Sequence, residues 1–139
     1  MKKTILIITI LFSGMLIQAD NPPKIDGSFW KVNQIVTIDG DIKETKSNNN
    51  ISVAFDKEDD IPSLVIFTVD PFNIYMLLLK EIVSDWNFSD HSWSIIYRST
   101  TGSLITIQIF DMITLKVTIE KDDQSTELYG VFEKYIHQQ

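Results

Sequence analysis

A chain with no cysteine has no thiol nucleophile or thiolate metal ligand, and its 2 His and 19 Asp+Glu are the groups to weigh for metal-binding or acid–base chemistry. Ser89-Asp90-His91 holds the three residue types of a hydrolytic triad, but as chain neighbours. A Ser–His–Asp relay is assembled from distant segments, and no G-x-S-x-G elbow accompanies this one. The stretch reads as a turn, with an envelope hydrolase as the minor alternative. His91 and His137 lie far apart with no His-x-His pair, and the acidic turns Glu58-Asp59-Asp60 and Asp122-Asp123 lack the glycine and ligand spacing of a calcium loop. Asp39 and Asp41 flank Gly40, and Asp56, Glu58 and Asp60 alternate; turn chemistry explains both groups without a cleft. The expectation is a protein that is not an enzyme, with no catalytic residue, metal ligand or cofactor. Asn50-Ile51-Ser52 and Asn87-Phe88-Ser89 fit the glycosylation pattern, which matters only in a eukaryotic exporter. The Lys-Lys start and the Ile-, Lys- and Asn-rich composition read as bacterial.

The remaining residues with a capacity for recognition are aromatic: Trp30, Trp86, Trp93, Phe55, Phe67 and Tyr97. They fit either of two roles. They are ordinary core rings, or some of them line an apolar pocket in which a few polar groups orient a ligand.

These side chains have to be positioned by a small exported domain. Lys2 and Lys3 precede an apolar run from Thr4 to Ile17, followed by Gln18-Ala19-Asp20. A basic start, a short apolar stretch and a small residue form the layout of a secretory signal peptide, with cleavage expected after Ala19. The run is shorter than the ~20 residues a spanning helix needs, so no stable membrane anchor is expected. Residues 20–139 then form one β-rich domain, periplasmic or secreted. The chain carries a net charge of −7, which disfavours nucleic acid and anionic surfaces.

Composition and period both predict sheet. After Asp20 the only alanine is Ala54, while β-branched and aromatic residues abound. Trp30, Val32, Val36 and Ile38 share a parity within a strand over 28–38, and Asp39-Gly40 signals a hairpin to a polar strand over 42–46. Ile51, Val53 and Phe55 alternate in the next strand, and another follows at 63–69. Residues 71–86 support two readings. Asp70-Pro71 resembles a helix start, and Phe72, Tyr75, Met76, Leu79, Ile82, Val83 and Trp86 recur at helical spacing. Ile74, Leu77 and Leu78 would make that helix apolar nearly all round. The rival is a turn at 70–73 and a strand over 74–83. Trp93, Ile95 and Tyr97 alternate again. Ile105, Ile107, Ile109, Ile113, Leu115, Val117 and Ile119 then hold one phase across Phe110-Asp111-Met112. A three-residue loop at 110–112 keeps both apolar faces on one side, whereas a two-residue turn would oppose them. A last strand over 127–136 is bent at Gly130. The fold class predicted is all-β, an antiparallel meander closed into a barrel of about eight strands; the alternative is α+β, with one helix at 71–86.

Gly27-Ser28-Phe29-Trp30-Lys31-Val32 opening the first strand, with Asp39-Gly40 turning it back, resembles the start of bacterial lipocalin-like domains. The strand at 93–97 and the closing run 129–135 are similar in style. The spacing here is Gly-x-x-Trp, where the family has Gly-x-Trp. Lys134 would have to replace the arginine that the family lays over that Trp, since the only arginine is Arg98. The resemblance implies a barrel closed near Trp30 and open at a mouth. It also implies inward positions for Trp30, Val32, Val53, Phe55, Trp93 and Tyr97, which would bind a small apolar molecule. The alternative function is a surface-mediated protein-interaction or inhibitor domain that uses the continuous isoleucine face of 105–119 for a protein partner.

Overall fold

The computed structural model describes residues 21–47 and 50–135. The segment expected to be a signal peptide, and His137, lie outside those residues. Among the described residues nine antiparallel strands follow one another: β1 (Ser28–Asp39), β2 (Ile42–Ser47), β3 (Ile51–Glu58), β4 (Ile61–Val69), β5 (Phe72–Ser89), β6 (Ser92–Ser99), β7 (Leu104–Phe110), β8 (Thr114–Lys121) and β9 (Gln124–Tyr135). Their hydrogen-bonded order is β2-β1-β3-β4-β5-β6-β7-β8-β9, and β1 also pairs with β9, so the meander closes on itself. Closure works because β1 shares one edge between two partners. Its Phe29, Trp30 and Lys31 pair with β3, and its residues 34–39 pair with β2. The ring therefore has eight strands, and β2 extends beside it as a ninth.

Tight turns that contain aspartate make most of the strand connections. Asp59 and Asp60 both have positive φ (51° and 67°), as do Asp90 and His91 (53° and 62°), the backbone of a type I′ hairpin. The turn after β1 is Gly40-Asp41, because Asp39 pairs with Ile42; only Gly40 has positive φ. The loop after β7 has three residues as expected but sits one position later, at Asp111, Met112 and Ile113. Phe110 pairs with Thr114 and Ile109 with Leu115, so the apolar phase is kept while Ile113 is left in the loop and exposed.

Residues 71–86 are not a helix. From Phe72 they belong to β5, whose 18 residues exceed the span expected for a strand there, and Pro71 lies in the turn before it. The ring supplies no surface broad enough to bury a helix that is apolar all round. As a strand, the segment turns Leu77 and Leu79 into the core beside Leu64. Three register shifts break its pairing with β6 between Leu79 and Asn87.

The core is the inside of the ring. Val32, Val53, Leu64, Ile105, Ile107, Leu115 and Val117 are buried completely within a single cluster. Period two puts alternate residues of β7 and β8 there, and Leu77 and Leu79 of β5, while β2 contributes none. The isoleucine face of 105–119 is thus turned inward and covered, apart from Ile113 and the partly buried Ile119.

Candidate functional site

All six residues expected to face inward are buried. Trp30, Val32, Val53, Phe55 and Tyr97 belong to the central cluster, whereas Trp93 stands outside it. The two inward tryptophans on β1 and β6 differ in their surroundings. Trp30 donates its indole N–H to the Ser28 hydroxyl at 2.7 Å, and that hydroxyl donates to the Ile25 carbonyl at 2.5 Å. The Phe132 ring stands edge-on to Trp30 at 5.3 Å. Lys134 does not cover Trp30; its ammonium lies 5.7 Å over the ring of Phe29, and Arg98 pairs instead with Glu81 at 3.7 Å. Trp30 is a satisfied core residue, in the same buried cluster as Ile25.

Trp93 is not satisfied in this way. Its indole Nε1 is buried and has no hydrogen-bond partner. Phe88, directly opposite on β5, tilts against it at 5.3 Å, and Trp86 stands edge-on at 6.5 Å. Trp86 lies within the last register shift, between Ser84 and Asn87, where β5 carries one extra residue against β6. Tyr97 lies on the same strand, two inward positions along. Burial first, then the carboxylates of Asp26 and Asp85, hold its hydroxyl above the ordinary pKa of 10.0, so it stays neutral and able to donate. The arrangement offers three rings, one unspent donor and one phenol beside the irregular part of the wall. It suits an apolar body bearing a hydrogen-bond acceptor.

A cleft lies at the C-terminal end of β1. Ile35 packs on the core, and Thr37 and Asp39 continue its face. Thr37 pairs with Glu44 and Thr126, and Asp39 with Ile42 and Gln124; these six residues help to line a cleft of about 400 Å³. Gln124 Nε2 donates to Asp39 at 3.4 Å across it.

Ser89, Asp90 and His91 form the end of β5 and its turn, with no hydrogen bond among their side chains; the Ser89 carbonyl accepts from the Ser92 hydroxyl. Among the described residues no group of three or more His, Cys, Asp or Glu is placed to hold a metal ion. Asp56 and Asp60 are exposed, and the Glu58 side chain lies outside what is described. Sequence reasoning missed Phe88, read only as part of a glycosylation pattern, and the lining of the cleft. The polar pair Ser84-Asp85, which interrupts the apolar run of β5, is the sequence signal that could have pointed to the bulge. Comparison of the chain with family models, curated proteins and solved structures finds no match to any of them.

Proposed function

We propose that the chain is an exported, soluble small-ligand-binding β-barrel that sequesters or carries an apolar molecule bearing a hydrogen-bond acceptor. The observation that carries this reading is the buried, unpartnered indole N–H of Trp93 between Trp86 and Phe88. Buried donors are nearly always paired, and one left open costs about 1–3 kcal/mol, which an acceptor on a ligand would recover. Ring surface would contribute ~25 cal/mol per Å² of apolar ligand area, less the cost of ordering. The signal-peptide layout of residues 1–19 supports export, and the Gly27-to-Val32 strand supports a lipocalin-like ancestry.

The test is titration with 1-anilinonaphthalene-8-sulfonate, an aromatic body with a sulfonate acceptor. Saturable blue-shifted emission is expected, together with quenching of tryptophan fluorescence. Trp93→Phe keeps a ring and removes the donor, and should weaken binding about 5–10-fold, the worth of one hydrogen bond. Unchanged affinity in that variant would put the dye elsewhere and overturn the reading. So would the absence of saturable binding.

A second reading, a surface-mediated interaction or inhibitor domain, is favoured by a different observation. Apolar residues face out of the ring on β4 and β5, where Phe67 lies opposite Ile74 and Val69 opposite Phe72. The isoleucine face of 105–119 is taken up by the core and offers a partner little.

A further inference from the structure

β5 changes neighbours part-way along its length. β4 pairs with it from Phe72 to Leu78, and β6 takes over from Leu79. From Leu79 to Ser89 the β4 side of β5 has no partner strand among the described residues. Apolar residues of β5 that oppose the buried face of β6 are left uncovered as a result. Ile82 lies opposite Tyr97 and Phe88 opposite Trp93, yet Ile82 and Phe88 keep 53% and 45% of their surface exposed. Both partners on β6 are only 8% exposed. Open apolar surface therefore stands directly beside two buried rings, with Trp86 between Ile82 and Phe88 in the chain.

Two carboxylates border this surface. Asp85 follows Ser84, which pairs with Ile96 next to Tyr97. Its Oδ1 accepts the Trp86 N–H at 2.7 Å, which fixes it at the bulge. Asp26 comes from the segment that precedes β1. That segment is held by the Gly27 N–H on the Phe55 carbonyl at 2.7 Å, by burial of Ile25 in the core, and by the Tyr135 hydroxyl on the Lys24 carbonyl at 3.1 Å. Both carboxylates act on the Tyr97 hydroxyl, so both stand close to it. Neither takes part in an ion pair among the described residues, where the pairs are Arg98 with Glu81 and Lys116 with Glu127. Carboxylates alone would make a solvated surface. What marks a ligand here is the Trp93 indole N–H, buried without an acceptor and one ring contact away from Trp86, the neighbour of Asp85.

We infer that the ligand of this site is an organic cation. Its ammonium group sits between Asp26 and Asp85, its apolar body covers Ile82, Trp86 and Phe88, and an acceptor on that body meets the Trp93 indole. The inference rests on the ligand-binding reading above and adds the sign of the ligand's charge. Ring faces attract a positive charge through their quadrupole, and carboxylates at the edge of an apolar surface fix where that charge stops. A neutral ligand leaves two like charges near a buried phenol, and an anion adds a third. The net charge of −7 draws cations towards the protein and turns anions away over longer range. A metal ion fits less well, because among the described residues no group of three or more His, Cys, Asp or Glu is placed to hold one.

Three probes that share a methoxynaphthyl body, whose ether oxygen is an acceptor, test the sign of the charge. Their side arms end in an ammonium, a hydroxyl or a carboxylate, and calorimetric titration of the full chain at neutral pH ranks them. The carboxylate should bind weakest, and the ammonium should bind about 5–20-fold tighter than the hydroxyl. Asp26→Asn and Asp85→Asn should each weaken the ammonium probe about 2–5-fold and leave the hydroxyl probe unchanged. Asp85→Asn keeps the oxygen that the Trp86 N–H uses, so the bulge is preserved. Asp41→Asn, at the other end of β1 from Asp26, removes the same charge and should change neither probe. Equal affinity for all three probes, or an equal loss in Asp41→Asn, overturns the inference and leaves the ligand-binding reading standing. No binding of any probe overturns both.

Discussion

At the scale of single residues, close approach matters more than composition. Gly130 on β9 lies between Val32 of β1 and Leu115 of β8, and a Cβ built on it would meet the Lys31 carbonyl oxygen at 2.6 Å. That oxygen is backbone in a paired strand and cannot swing aside. Gly130→Ala should therefore destabilise the protein by about 1–3 kcal/mol through overpacking, read as a lower urea midpoint. An unchanged midpoint would show that β1 and β9 slide freely at this seam. From sequence, Gly130 signals a bend; the need for glycine there comes from β1, nearly 100 positions earlier in the chain. Trp30 and Trp93 make the same point. Both are legible as inward rings, but only the surroundings separate an indole bonded to Ser28 from one with no acceptor.

At the scale of elements, the turns are where local chemistry and geometry disagree most plainly. Asp and Asn tolerate positive φ, and the aspartates of the hairpins use that tolerance. Met112 does not fit the rule: its φ is 64°, and 41% of its surface is exposed, so it has strain and little burial to offset it. A left-handed backbone costs a side chain with a Cβ roughly 1–2 kcal/mol, and glycine gives back about 0.4–1 kcal/mol through the freer unfolded chain. Met112→Gly should raise stability by about 0.5–1 kcal/mol, seen as a higher thermal midpoint; a fall would mean that Met112 packs usefully across the loop. β5 teaches the complementary lesson. Its apolar residues recur at helical spacing because the strand is apolar on both faces, one towards the core at Leu77 and Leu79, the other outward at Ile74 and Met76. Two superposed alternations of period two imitate a period near 3.6, and no local signal separates them.

At the scale of the whole molecule, two titrating groups tie the ring to pH. Tyr97 is raised above its ordinary value by burial, then by Asp26 and Asp85. For Lys116 burial alone would lower the pKa, but Glu127, whose carboxylate lies 3.4 Å away, and Tyr129 outweigh it, and the net shift is upward. Both groups hold their protons more tightly folded than unfolded. Their stabilising effect is therefore complete below the ordinary values of 10.0 and 10.5 and is lost as pH rises past them towards the folded values. Urea unfolding from pH 8 to 11 should show constant stability up to about pH 10 and a decline beyond it. Tyr97→Phe should make the decline shallower; an identical slope would remove Tyr97 as a contributor.

The sequence by itself determined a β-rich chain of hairpins and the shared apolar phase of Ile105, Ile107 and Ile109. These follow from alternation and turn chemistry, both of which act over a few neighbouring positions. The tertiary structure alone decided that β1 divides one edge between β2 and β3, that β5 overhangs its neighbour, and that Trp86 and Phe88 meet Trp93. Each of these depends on which strands become neighbours and where their ends fall when the ring closes. Such placement is fixed by contacts between residues far apart in the chain, which no short window of sequence contains.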